Sequence, residues 1–272
     1  MTRLLPDDIR TVGAQLADYD RRLRLATGRG ILGVACHSYG VAEEKIRKRA
    51  EQQSCYVIPV TAGQGVISGF SKTVCAILGF IGCNSVVADS SDTGGIFQAF
   101  EAGADIMFMA DDFTFAGFNL RRGTVVDNSK ATGGVFGGAL DLMAGGLNGN
   151  DALVLGCGPV GEAACRKLLW YGATLAVYDT SPDAAAALAD KLDGKVHVEP
   201  DLATALSRHR YILDATPAGE FIGEEYITKA TFVAAPGVPL GVSPQAETLL
   251  GKRLVHDKLE LGVAAMAVAL LR

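Results

Sequence analysis

The sequence predicts an α/β protein, with a small N-terminal α/β domain and a C-terminal doubly wound parallel sheet. Three observations carry that prediction. Short aliphatic runs alternate with helical patterns along all 272 residues, as repeated strand–helix units on a parallel sheet require. Glycine is abundant, at 33 residues, which suits many strand-to-helix turns. One such turn, between the run "ALVL" (152–155) and a helical stretch, reads G-x-G-x-x-G.

Taken in order, the first 27 residues read as one charged amphipathic helix with Asp7 and Asp8 in its first turn, where carboxylates favour the helix dipole. Its apolar line includes Leu4, Leu5 and Ile9, and its place ahead of the first strand makes it a candidate lid over a flexible substrate. Strands are expected at "ILGVA" (31–35), "CYVIPVT" (55–61), "SVVAD" (85–89), "DIMFMA" (105–110) and "GTVVDN" (123–128), with helices over 41–53, 68–82, 94–103 and 132–146. The cluster "GGLNGN" (145–150) is a turn, and it divides the chain into a substrate-binding helper domain, 1–146, and a nucleotide domain, 147–272. A second series follows: "DALVLG", "TLAVYD", "KVHVE", "YILDATP", "TFVAAPG" and "RLVHD", each succeeded by a helix. The last helix, 260–271, is apolar nearly all round. It should be covered by another element, packing back across the junction.

Composition excludes several classes. Net charge is −5 with the signs interspersed, so nucleic acid is not an expected partner. The stretch "EEKIRKRAEQQ" reads as a solvated helix face. Six cysteines form no C-x-x-C pair and several sit in apolar runs, as free buried thiols do in a reducing compartment. No signal-peptide core opens the chain, and "LGVAAMAVALL" is too short to span a bilayer. A soluble, cytoplasmic protein acting on a small molecule is expected, with no membrane partner and a homodimer left open. The four histidines are scattered and no metal site is expected. Neither a P-loop nor a G-x-S-x-G elbow occurs.

The glycine motif has the context that gives it meaning. Gly156 allows the tight turn, Gly158 lets a pyrophosphate approach the backbone, and Gly161 allows close helix–strand packing. Pro159 and Val160 open the helix whose N-terminus faces the phosphates. The second strand ends in Asp179, 23 positions after Gly156, the place of a carboxylate on adenosine ribose hydroxyls. Thr180, Ser181 and Pro182 follow it, with no Arg or Lys for a 2′-phosphate, so the expected cofactor is NAD on a Rossmann-type sheet. Thr216, Pro217 and Ala218 of "DATPAG", and Pro236 and Gly237 of "AAPGVP", fall at later strand ends. Ligands of open α/β sheets bind beyond such ends. The alternative reading of these two segments is ordinary loop punctuation.

Polar residues at the ends of the first-domain strands are Thr61, Gln64, Asp111, Asp112, Asn119 and Asn128. A substrate cleft between two domains would be lined by such positions. Asp112 reads as a turn or cap residue, since Asp readily accepts from nearby backbone N–H groups.

Three stretches, "IPVTAGQGVISGFS" (58–71), "FMADDFTFAGFNL" (108–120) and "LGCGPVG" (155–161), together resemble the pyrrolysine synthase PylD family. So do "DATP" (214–217), "PGVP" (236–239) and "LELGVAAM" (259–266). The resemblance runs through essentially the whole chain in order. It implies an NAD-dependent dehydrogenase that oxidises the terminal amine carbon of 3-methyl-D-ornithyl-Nε-L-lysine. Loss of ammonia and ring closure to pyrrolysine follow. It also implies Asp111 as the catalytic carboxylate, as base or as ammonium anchor. Leu4, Thr61, Ala62, Gly63, Ala110, Asn119 and Asn128 would contact substrate. Met109, Phe113 and Phe115 would surround Asp111 and strengthen its effect by desolvation. Ala62 stands where a small hydroxyl residue is expected, and Phe118 where His is expected; both remove a polar contact. The competing readings are a shikimate- or methylenetetrahydrofolate-type dehydrogenase, which wants a catalytic Lys that Lys72 does not match, and a non-catalytic NAD sensor.

Overall fold

A computed structural model describes residues 4–272. The chain forms two compact units. The first comprises 1–21, 30–131 and 259–272; the second comprises 22–29 and 132–258.

In the first unit, β1 (Ser54–Ile58), β2 (Asn84–Val87), β3 (Ile106–Ala110), β4 (Phe115–Asn119) and β5 (Thr124–Asp127) form one sheet in the order β2-β1-β3-β4-β5. β1 is parallel to β2 and β3, while β4 and β5 run antiparallel. The carboxyl ends of β1, β2, β3 and β5 therefore share an edge with the start of β4. Helices α5 (Phe70–Phe80) and α6 (Asp92–Glu101) supply the crossovers, which parallel neighbours need. β4 was not among the expected strands. "FTFAGFN" shows no clean alternation, because Phe115, Ala116 and Gly117 are all buried, and buried positions on both faces erase a period of two.

The stretch expected as a first strand, 31–35, is instead helix α3 (Ile31–Tyr39). A short apolar run fits a buried helix as well as a buried strand. Gly40, at φ 62°, ends it with a left-handed cap. α3 and α5 pack against α12 (Glu260–Leu271). Almost every residue of α12 is buried, which its uniform apolar character demands. The expected N-terminal helix is broken into α1 (Pro6–Ile9) and α2 (Val12–Thr27). Its residues 1–3, part of the expected lid, lie outside the described residues.

The second unit contains β6 (Asp151–Leu155), β7 (Thr174–Tyr178), β8 (Val196–Val198), β9 (Tyr211–Asp214), β10 (Phe232–Ala235) and β11 (Leu254–His256) in one parallel sheet. The order is β11-β10-β9-β6-β7-β8, the doubly wound arrangement, with its reversal at β6. Helices α7 (Asn128–Ala144), α8 (Pro159–Trp170), α9 (Pro182–Lys191), α10 (Leu202–Arg208) and α11 (Pro244–Leu250) follow β5 in chain order, and α4 (Glu43–Ala50) precedes β1. The α-helix expected between β9 and β10 is replaced by one 3-10 turn at Glu224–Tyr226. Among the described residues no helix is long and apolar enough to cross a membrane.

Candidate functional site

The cradle in the second unit is built by excluded volume. Gly156, after β6, has φ 88°, which L-residues with side chains avoid. A Cβ there would also crowd the Ala215 carbonyl carbon at 3.1 Å. Gly158 is the N-cap of α8, and no atom lies within 4 Å of where its Cβ would be. At Gly161 a Cβ would overlap the Gly156 carbonyl oxygen. A strained turn, an open approach and a tight helix–strand contact thus fall to three different glycines. The open face lies at the N-terminus of α8, where N–H groups unpaired within the helix favour an anion. The residues fit a pyrophosphate.

Asp179 follows β7. Its Oδ2 accepts from Cys157 N at 2.7 Å and its Oδ1 from Ser181 N at 2.9 Å. These bonds fix the carboxylate beside the glycine turn, where each oxygen keeps a further lone pair for a hydroxyl donor. Burial first, then the charge of Asp179, push the Cys157 thiol up to about 12, so this cysteine stays protonated. All six cysteines are free.

Thr216–Ala218 leave β9 and Pro236–Gly237 leave β10. Parallel strands put both segments on the same edge as the glycine turn. A Cβ at Gly237 would overlap the Thr216 carbonyl oxygen, so the two segments are in contact. Between them lies a residue that the sequence reading passed over. Asp214 is fully buried at the end of β9. Its Oδ1 accepts from Thr216 N at 3.0 Å and from Thr216 Oγ1 at 2.7 Å, and Gly237 N donates to its carbonyl at 3.2 Å. Oδ2 has no full hydrogen bond; the Gly241 amide favours its charge, and a Cβ on Gly241 would overlap that oxygen. Burial raises the Asp214 carboxyl to about 6, against the opposing Thr216 and Gly241 contacts.

The carboxyl edge of the first sheet collects a different set. The loop after β1 carries Thr61, Ala62, Gly63 and Gln64, all exposed. Asp92, which the sequence reading missed, opens α6 at φ 54°. Its two oxygens accept from Thr61 N at 2.8 Å and Thr61 Oγ1 at 2.5 Å. The Thr61 hydroxyl first, then its N–H, hold this carboxyl below the usual range. Asp112 Oδ2 accepts from Gln64 N at 2.7 Å and occupies the space a Cβ on Gly63 would need. Ala110 ends β3, and Asn128 begins α7 directly after β5, on the same edge. Half-buried Leu4 precedes α1.

Three expectations change here. The turn after β3 is held by Asp111, while Asp112 accepts from the backbone of the loop after β1. Asp111 Oδ1 accepts from Phe113 N at 2.8 Å and Thr114 N at 2.7 Å, and Asp111 N donates to the Thr114 carbonyl. Both acids can form such a local bond; the one at the strand end does so because β3 and β4 pair up to Ala110 and Phe115. The aromatics do not enclose Asp111 in a dry pocket. Phe113 is 86% exposed, while Phe115 is buried edge-on against Phe70, 5.3 Å between centroids. Asn119 is buried with both amide ends used: Nδ2 donates to the Leu270 carbonyl at 3.0 Å and Oδ1 accepts from Arg122 N at 3.0 Å. It ties β4 to α12 and lies beside Ile106 at the start of β3, the end of the sheet opposite the carboxyl edge.

Comparison with known proteins identifies the family and the fold. A family model described as "Pyrrolysine biosynthesis protein PylD, N-terminal domain" matches residues 8–126. Pyrrolysine synthase of Methanosarcina acetivorans is 30% identical over 273 residues, spanning 100% of both chains. Its counterpart from Methanosarcina barkeri is 28% identical, spanning 100% of this chain and 98% of that one. Among solved structures, quinate dehydrogenase from Corynebacterium glutamicum in complex with NAD shares the fold. It has a TM-score of 0.56 and 16% identity, covering 80% of this chain and 93% of that chain.

Proposed function

The chain belongs to the PylD family of pyrrolysine biosynthesis proteins, and from that premise we propose that it catalyses the NAD-dependent oxidation of a primary amine. The substrate is 3-methyl-D-ornithyl-Nε-L-lysine, and loss of ammonia with ring closure gives pyrrolysine. The observation that carries the reading is the end-to-end match to pyrrolysine synthases, with a dinucleotide cradle and an acid-lined strand edge in support. Bound at the cradle, NAD would supply the hydride acceptor. Gly156, Gly158, Pro159, Val160 and Gly161 receive the pyrophosphate, and Asp179 receives the adenosine ribose. Thr216, Pro217, Ala218, Pro236 and Gly237 line the pyridine end.

The first unit handles a cationic substrate. Its edge gathers Asp92, Asp111 and Asp112, a negative field that suits two ammonium groups. Asp111 acts as the ammonium anchor. Its Oδ1 is committed to the turn, which leaves Oδ2 to pair with the reacting ammonium; water takes the proton that must leave before the nitrogen lone pair can expel hydride, and the same Oδ2 then steadies the positive charge of the nascent imine. Thr61, Ala62 and Gly63 present backbone groups from their exposed loop, Asn128 holds the second amine or the substrate amide, and Leu4 and Ala110 contact its carbon chain.

Incubation with NAD⁺ and the dipeptide-like substrate should give NADH absorbance and the mass of the cyclised product. NADH from quinate or shikimate in its place, or none from any of them, would overturn the reading. Asp111→Asn should lower kcat/KM by about 10²–10⁴ and leave NADH affinity near normal. Full activity of that variant would remove Asp111 from the mechanism.

A further inference from the structure

We propose that Asp214 is a positioning residue for the pyridine end of the cofactor site: it fixes the 215–218 turn against the 237–241 loop. The inference rests on the NAD reading above and adds a residue to it.

The geometry is that of a hub. One carboxylate oxygen takes both the N–H and the hydroxyl of Thr216. That double acceptance sets the first turn of the segment and the rotamer of Thr216 together. The Asp214 carbonyl takes Gly237 N from the neighbouring loop, and Ala215 N donates to Leu155 O at 2.9 Å, next to the glycine turn. The second oxygen fills the space left by the absent Cβ of Gly241. Two glycines are thereby explained. Gly237 lets its loop meet the Thr216 carbonyl, and Gly241 leaves room for the carboxylate.

A fully buried carboxylate with one oxygen short of a hydrogen bond is costly. No charged side chain acts on it, so ion pairing does not account for it. An apolar side chain would satisfy the core, yet would leave Thr216 N and Oγ1 without their acceptor. What the carboxylate adds is the conformation of the 216–218 segment, at the strand end where a dinucleotide's distal half lies. The adenosine and pyrophosphate contacts belong to Gly156–Gly161 and Asp179 and involve none of these bonds.

The test compares two ligands on the whole protein. NADH uses both halves of the site; ADP-ribose lacks the pyridine ring. Asp214→Ala should weaken NADH about tenfold and leave ADP-ribose affinity within about twofold. Asp214→Asn keeps an acceptor for Thr216 and should bring NADH affinity back to within about threefold of the unaltered protein. Should the Ala variant fail to fold, Thr216→Val removes the hydroxyl alone and should show the same selective loss in smaller measure. Equal weakening of both ligands, or no weakening of NADH, overturns the positioning role. An unaltered protein that binds ADP-ribose but not NADH overturns it as well. One that binds neither overturns the NAD reading, and this inference with it.

Discussion

The glycine turn after β6 and the acidic turn after β3 both leave the end of a parallel strand, but different forces hold them. Around Gly156 the backbone holds a φ of 88° that side chains disfavour, and at Gly161 nothing larger than hydrogen fits. Around Asp111 and Asp112 the backbone is held by carboxylates, one bonding its own turn and the other reaching 48 residues back to Gln64. Steric turns tolerate no added atom. Polar turns tolerate change at the cost of a hydrogen bond, which is worth only about 0.5–1.5 kcal/mol net.

That contrast is best broken in the cradle. Gly161→Ala should destabilise the fold by roughly 1–3 kcal/mol, since its Cβ has no room. Gly158→Ala should leave thermal stability nearly unchanged, its surroundings being open, and weaken NADH about tenfold or more by blocking the phosphate approach. Equal melting temperatures for the two variants would deny the division of labour among the glycines.

Asp214 offers a titration of similar size. Its folded carboxyl is raised to about 6 from 3.8, so the folded protein holds this proton more tightly than the unfolded chain. The stabilisation is complete below about pH 4 and is lost as pH rises to about 6, on the order of 3 kcal/mol in all. Denaturant curves across that window should show the protein losing stability relative to Asp214→Asn as pH rises; parallel curves would contradict the buried charge. Asn119→Ala should cost about 1–3 kcal/mol by stranding the Leu270 carbonyl, with no change in substrate KM, and a raised KM at full stability would return Asn119 to the substrate. The smallest effect is expected from Asp112→Ala. It should cost about 1 kcal/mol or less and be visible mainly as faster amide exchange at Gln64.

What was legible follows the same division. The strands of the second sheet and the roles of three glycines could be read from the sequence, because a tight turn leaves its mark in the residues that form it. The place of Asp179 beside the glycine turn was readable from its spacing. Asp92 and Asp214 were not. Each works through a partner fixed by the folded geometry, Thr61 lying 31 residues from Asp92, and Asp214 facing a loop from the next strand. "LDATP" did hold a faint signal, a carboxylate ending an apolar strand. Asn119 is hard to read for a related reason: Arg122 N, three residues on, is a local partner, but the Leu270 carbonyl that ties it to α12 lies 151 residues away. The helix at 31–39 defeated periodicity because burial on all sides removes the pattern that distinguishes helix from strand.

The helix α12 bears on how the protein is made. It fills the first unit, packing on α3 and α5, yet it follows the 127 residues that run through the second unit from 132 to 258. During synthesis the apolar surfaces of α3 and α5 emerge long before their cover. The second unit's main segment can collapse on contacts of short sequence separation while the first waits for a closure over a long loop, the slower class of event. In that interval the unfinished first unit is the part of the nascent chain most exposed to aggregation.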